Sequence, residues 1–254
     1  MSLSVVIITR DAEPVLSDCL ASVAWADEIV VVDSGSVDGT IALAASAGAR
    51  IIRQAFLGYG PQKNVGVDAA RGEWILNVDA DERVTPALAE EISRVIASPD
   101  AAAGYEIPFD VRFLGGRLRF GGVGGERHLR LFRKAAGRFS AAPIHEAVEV
   151  AGGHAFGGQA VGRLRGRIIH ESYRTLEEYW RKLDRYSRMD AERWRAAGRR
   201  FAWWKLARIP FEFLQRSVLR LGILDGRRGL IWAGLCAWAV LVKYARLREL
   251  EARA

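Results

Sequence analysis

Two cysteines and four histidines in 254 residues leave little material for a disulfide framework or a zinc cage. Cys19 and Cys236 stand far apart in apolar surroundings, with no metal-ligand spacing, a pattern that fits a reducing compartment. Long apolar runs are also missing. The longest, residues 230–242, falls short of the roughly 20 residues that cross a bilayer. The N-terminal run 5–8 is too short for a secretory leader and acidic residues follow it, so no signal peptide is expected. No G-x-G-x-x-G occurs, which removes the usual dinucleotide fingerprint. No internal repeat is visible, and half the residues are hydrophobic, which excludes a disordered chain.

Positive charge is abundant, but only in one part. Residues 1–162 carry 15 basic and 20 acidic side chains, whereas residues 163–254 carry 22 and 10. The formal charge of +7 therefore belongs to the C-terminal third, which points to an anionic partner there.

The first part reads as alternating strands and helices. Leu3–Thr9 is a continuous β-branched run and residues 28–32 are a second, ending at Asp33. Arg50–Arg53 and residues 73–78 complete four strands, the last ending at Asp79. Helices are predicted over 14–23, 40–47 and Pro86–Ala97, the last marked by Thr85 and Pro86. This order implies an α/β fold with a parallel sheet covered on both faces. Ligands in such sheets bind beyond the carboxyl ends of the strands, so Asp33 and Asp79 are expected to line one crevice. From 104 to 166 short β-like pieces alternate with glycine-rich loops. After Ser172 the chain reads as helical, over 176–197, 201–221 and 229–250. The domain reading is a catalytic domain over 1–172 and a helical region over 173–254.

Asp79-Ala80-Asp81-Glu82 is the strongest local signal. Alternate residues leaving a strand can turn two carboxylates to one side, a ligand set that suits Mg²⁺ or Mn²⁺ together with a diphosphate. Taken alone, the tetrad reads equally as a solvated acidic turn. The segment 33–40 (Asp-Ser-Gly-Ser-Val-Asp-Gly-Thr) puts two carboxylates and several hydroxyls at a strand-to-helix junction. Taken alone, it reads as a turn with a helix cap at Ser36 or Asp38.

The ordered set is more specific. Residues 4–9, 31–40, Gln62-Lys63-Asn64 and 78–82 together resemble a family 2 glycosyltransferase with the GT-A fold. Trp25-Ala26-Asp27-Glu28, Leu129-Arg130-Leu131-Phe132-Arg133, Ile144-His145-Glu146 and His170-Glu171-Ser172-Tyr173-Arg174 narrow the likeness to bacterial lipopolysaccharide inner-core glycosyltransferases. The resemblance implies a donor-binding set of Thr9, Asp33, Ser36, Asp38, Lys63, Arg71, Asp79 and Arg130, with Arg133 an alternative to Arg130 beside the departing diphosphate. It implies Asp81 and His170 as metal ligands and Glu146 as the catalytic base. Glu146 also reads as one of a surface pair in a hairpin, and His170 as a structural histidine. Residues 121–125 would be a glycine-rich loop near donor and acceptor. Two departures stand out: Asp11 replaces the usual Asn, and Val123-Gly124-Gly125 replaces an aromatic-rich stretch.

The basic tail mixes Trp, Phe, Leu and Arg at helical spacing, which suits an anionic membrane surface. The bland alternative packs its apolar stripes on the catalytic domain. No nucleic-acid module accompanies the charge, so no nucleic-acid partner is expected. The expected function is inverting, metal-dependent transfer of a sugar from a nucleotide sugar, a UDP-sugar first, to a lipid-linked saccharide such as the lipopolysaccharide inner core. The expected place is the cytoplasmic face of a bacterial inner membrane, held peripherally. The alternatives are transfer to another glycan or a polyprenyl phosphate, and a non-catalytic nucleotide-sugar or glycan-binding protein.

Overall fold

The computed structural model describes residues 1–140, 148–150, 155–156 and 159–253. The β-branched runs form strands because each is buried on both faces. β1 (Leu3–Thr9) has Val5, Val6 and Ile7 at 0% exposure, and β2 (Glu28–Asp33) pairs with it in parallel from Ser4↔Glu28 to Thr9↔Asp33. Between them runs α1 (Glu13–Val23), which buries Leu16, Cys19, Leu20 and Val23. After β2 come α2 (Thr40–Ser46), β3 (Arg50–Arg53), α3 (Tyr59–Ala69) and β4 (Trp74–Asn77). The parallel part of the sheet has the order β3-β2-β1-β4.

The chain then adds β5 (Glu82–Val84), α4 (Pro86–Ala97), β6 (Gly104–Phe113), β7 (Gly116–Arg117) and β8 (Arg127–Arg133). β8 pairs antiparallel with both β4 and β6, so the sheet is mixed rather than parallel throughout. Thr85 caps α4 by accepting from the Leu88 amide, as the Thr-Pro signal predicts. Short strands follow: β9 (Gly137–Phe139), β10 (Val148–Val150), β11 (Ala155–Phe156), β12 (Gln159–Ala160) and β13 (Gly162–Arg163). β14 (Ile168–Tyr173) pairs antiparallel with β5, placing His170 opposite Glu82.

Two compact units result. The first holds Met1–Phe109 and Glu126–His170; the second holds Asp110–Gly125 and Glu171–Ala254. In the second unit α7 (Gly226–Ala252) packs against both α5 (Leu176–Ala196) and the shorter α6 (Arg208–Leu214). Residues 201–221, expected as one helix, instead form a 3-10 turn (Trp203–Ala207), α6 and a π-type turn (Gln215–Leu219). A further 3-10 turn (Gly222–Asp225) leads into α7. Residues 110–125, glycine-rich loop included, are bonded into this second unit. Gly121 donates to the Arg220 carbonyl at 2.8 Å, and Asp225 accepts the amides of Arg119 and Phe120 at 2.9 Å each.

Helix α3 has no counterpart in the sequence reading. It lacks an apolar stripe and contains two glycines that lower helix propensity. Packing explains it. Gly66 is where α3 meets the sheet: a Cβ there would overlap Cγ1 of Val6 and lie 3.1 Å from Cγ2 of Val32. Gly66→Ala is expected to destabilise the protein by about 1–3 kcal/mol through overpacking. Urea denaturation measures this, and an unchanged midpoint would show that α3 does not need its close approach.

Candidate functional site

The first unit gathers polar side chains at the carboxyl ends of β1, β2 and β4. At the end of β1, Thr9 is in register with Asp33 and donates its hydroxyl to Asp33 Oδ1 at 3.0 Å. Asp33 Oδ2 accepts the amides of Gly35 and Ser36 at 2.9 Å each, and the Ser36 hydroxyl closes on Oδ1. Gly35 takes φ +90°, which lets the turn fold back on its own aspartate. Burial pushes the Asp33 carboxyl up. The bonds from Ser36, Gly35 and Thr9 outweigh it and hold the group below its ordinary value of 3.8.

The neighbouring turn is locked to helix starts. Asp38 accepts the amide and hydroxyl of Thr40, the first residue of α2, and the amide of Glu13, the first of α1. Glu13 answers by accepting the Gly39 amide at 2.9 Å. These bonds complete orphan amides of two helices, so Asp38 has a structural duty whatever else it touches. Asp11 sits at φ 48°, a region that Asn and Asp tolerate, and its carboxylate accepts the Val37 amide. Asn offers the same oxygen, so the Asp11 departure preserves this contact.

Beyond β4 the acidic tetrad forms a turn in which the Glu82 carboxylate accepts the Asp79 amide at 2.8 Å. Asp79 is bracketed by two cations, Lys63 Nζ 3.0 Å from Oδ1 and Arg130 3.1 Å from Oδ2. Arg130 also donates to Asn77 Oδ1 at 2.6 Å and Glu82 Oε1 at 2.9 Å, and its guanidinium lies 5.3 Å from the Phe109 ring centre. Lys63, Arg130 and Glu82 keep 3, 12 and 1% of their side-chain surface, so water contributes little to their solvation. Burial raises the Asp79 carboxyl, but Lys63 and Arg130 pull it well below its ordinary value. Glu82 moves the other way: burial and then the Asp79 charge outweigh Arg130 and His170 and raise it. Cys19 donates its thiol to the Asp79 carbonyl at 3.5 Å, and burial with these carboxylates pushes the thiol up.

One helix joins the two acidic turns. Consecutive residues near the start of α3 reach each of them: Gln62 Nε2 donates to Ser34 Oγ at 3.1 Å, and Lys63 pairs with Asp79. Asp81 and His170 are brought within 3.7 Å of each other, both partly exposed, with Phe109 edge-on to the imidazole. They offer one carboxylate oxygen and one imidazole nitrogen. Among the described residues no three His, Cys, Asp or Glu gather as a metal cage. Mg²⁺ is characteristically bound by one or two carboxylates and completes its shell with phosphate and water, and Asp81 supplies one such carboxylate.

The structure does not bring every expected residue here. Arg71 lies before β4 at the opposite end of the strands, its backbone amide on Glu28. Arg133 pairs with Trp74, also at the start of β4, and stacks 4.7 Å from that indole. β8 runs antiparallel to β4, so three residues of register separate Arg130, at the cluster, from Arg133, away from it. Glu146 lies outside the described residues. Asn77, Gln62 and Glu82 carry contacts that the sequence reading assigned to no role. Asn77 had a signal, a polar residue at the end of a strand whose other members are fully buried.

Arg130→Met would leave Glu82 and Asp79 short of a cation and is expected to cost about 3–5 kcal/mol, with part recovered by adding Glu82→Gln. Chemical denaturation of the single and double variants checks this; additive losses would show that the pair is not coupled. Because the Asp33 carboxyl is lowered on folding, its contribution is present above its ordinary value of 3.8 and lost as pH falls below it. Asp33→Asn should therefore flatten the acid limb of the stability–pH curve, and an unchanged limb would contradict the assignment.

The model of the family described as glycosyl transferase family 2 matches residues 4–143, the segment that supplies Thr9, Asp33, Lys63, Asp79, Asp81 and Arg130. The lipopolysaccharide core biosynthesis glycosyltransferase LpsC of Rhizobium meliloti is 30% identical over 260 residues, covering 96% of this chain and 94% of that protein. An uncharacterised glycosyltransferase of Rickettsia typhi is 28% identical, covering 98% and 87%. The solved structure of S. aureus TarS 1-349 in complex with UDP is similar at 24% identity with a TM-score of 0.40, over 46% of this chain and 38% of that one. The strand-end cluster thus lies inside a match that covers more than half of the chain, and the chain belongs to glycosyl transferase family 2, with the α/β GT-A fold and glycosyltransferase activity of that family.

Proposed function

We propose that this glycosyltransferase moves a sugar from a nucleotide-sugar donor to a lipid-linked saccharide, the inner core of lipopolysaccharide, with inversion at the anomeric carbon. The carrying observation is the reach of Gln62 and Lys63 to the two acidic turns, which ties strand ends 46 residues apart in sequence to the start of one helix. The likeness along nearly the whole length of both chains to a lipopolysaccharide core enzyme supports the acceptor class.

The donor's nucleotide would meet the turn after β2, where Thr9, Asp33 and Ser36 form a closed set of hydroxyl and carboxylate groups. The Asp33 oxygens already accept four bonds, so the aspartate would engage a donor by exchanging the Thr9 or Ser36 hydroxyl. Asp79 would face sugar hydroxyls, held in its ionised form by Lys63 and Arg130. Asp81 and His170 would hold Mg²⁺ or Mn²⁺. When bound, such a cation stabilises the charge that develops on a departing diphosphate. Arg130 supplies a fixed positive group beside the same site. Glu146 would take the proton of the attacking acceptor hydroxyl, as the family resemblance implies. A lipid-linked acceptor places the enzyme at an anionic membrane surface, which the net charge of +12 over residues 163–254 complements, on the cytoplasmic face of the inner membrane.

Two measurements test this. Nucleotide sugars with Mg²⁺ or Mn²⁺ should raise the melting temperature of the protein, and Asp81→Asn should abolish the metal-dependent part of that rise. Glu146→Gln should lower transfer by about 10²–10⁴-fold while donor binding persists. A product with retained anomeric configuration by NMR would reject the single displacement.

A further inference from the structure

Residues 203–224 of the second unit reverse the usual order of burial. The buried positions of this stretch are polar or small: Glu212, Ser217 and Gly222. Their polar groups are bonded inward. Glu212 accepts from Arg216 Nε at 2.7 Å, a second Arg216 nitrogen donates to the Gly121 carbonyl, and Ser217 donates to the Phe213 carbonyl. The large apolar side chains on the same turns face outward. Trp203 and Trp204 are 78 and 75% exposed, and Phe211, Leu214, Leu219 and Leu224 are all more than half exposed. A stretch built to face water would show the opposite arrangement.

Charge identifies what covers this surface. Residues 199–228 carry eight basic side chains and two acidic ones. Both acids are spent internally, Glu212 on Arg216 and Asp225 on the amides of Arg119 and Phe120. The outward side chains are therefore large and apolar within a segment of net charge +6, a combination complementary to anionic headgroups over acyl chains. A second copy of the chain, related by a two-fold axis, would set this net positive charge against itself.

The geometry also decides how the segment meets the bilayer. Gly222–Ala252 is long and apolar enough to cross a membrane by length and composition. Yet α7 packs along α5: Tyr179 donates its hydroxyl to the Leu235 carbonyl at 2.6 Å, Lys243 pairs with Asp190 at 2.7 Å, and the Trp194 and Tyr244 rings lie 5.3 Å apart. Eleven of the 21 residues of α5 are charged, and a crossing α7 would draw them into hydrocarbon. We infer that residues 203–224 are a monotopic wedge that seats the second unit in one leaflet of an anionic bilayer, without a spanning helix. The inference rests on the membrane surface being a partner, and it adds the segment and the mode of insertion.

The test uses the full chain and sealed vesicles of phosphatidylcholine with or without phosphatidylglycerol. The variant Trp204→Ser/Leu214→Ser/Leu219→Ser alters only exposed side chains, and circular dichroism controls for its fold. It should bind anionic vesicles at least tenfold more weakly than the natural chain, whereas Trp238→Ala, on α7, should bind as the natural chain does. A C-terminal tag on bound protein should remain open to protease added outside. Equal binding by the triple variant, an equal loss in Trp238→Ala, or a protected tag would overturn the wedge while leaving membrane association standing. Failure of the natural chain to bind either vesicle, or a dimer that shields the stretch, would instead remove membrane association itself.

Discussion

The ammonium of Lys63 is almost withdrawn from water, and the arrangement of the first unit follows from what that requires. A lysine buried this far is tolerable only beside a carboxylate, because the cost of desolvating it must be met by close opposite charge. Asp79 provides that charge, and in doing so it fixes the start of α3 to the turn after β4. Gln62, one residue earlier, is thereby set against Ser34. The loss of Cβ at Gly66 lets the helix lie close enough to the sheet for both contacts. The two acidic turns are thus held by one rigid element, the kind of support that a precisely positioned site needs.

Arg130 extends the same logic to the antiparallel half of the sheet. It joins Asn77, Asp79 and Glu82, three residues of one strand end and its turn, to β8. Two carboxylates of like chemistry are driven apart by their surroundings, Asp79 towards the ionised form and Glu82 towards the protonated form. Such opposed environments give neighbouring acids different duties. Here Asp79 and Asp81 stay partly exposed, and the buried Glu82 organises the turn beneath them.

The second unit meets a different solvent problem. Over residues 203–224 the buried polar side chains of Glu212 and Ser217 are satisfied internally and the bulky apolar ones are turned outward. On the proposed reading, this serves the acceptor. A lipid-linked saccharide is confined to a surface, and an enzyme seated in one leaflet searches two dimensions for it instead of three.

The strands β1 and β2, the helix α4 and its Thr-Pro start were determined by local sequence. Continuous β-branched runs and capping residues report on a single element and need no partner. That Asp33 and Asp79 stand at strand ends followed from the same local pattern. Tertiary structure alone decided α3, whose glycines argue against a helix until Val6 and Val32 are seen to lie beneath it. It alone decided that Arg130 belongs to the cluster while Arg133 and Arg71 sit at the far end of the strands, because that depends on antiparallel register between β4 and β8. It also broke the expected helix over 201–221 and turned its apolar side chains outward. Periodicity reports the faces of one element at a time, whereas the pairing of charges 51 residues apart, as Asp79 and Arg130 are, depends on how elements are laid against each other.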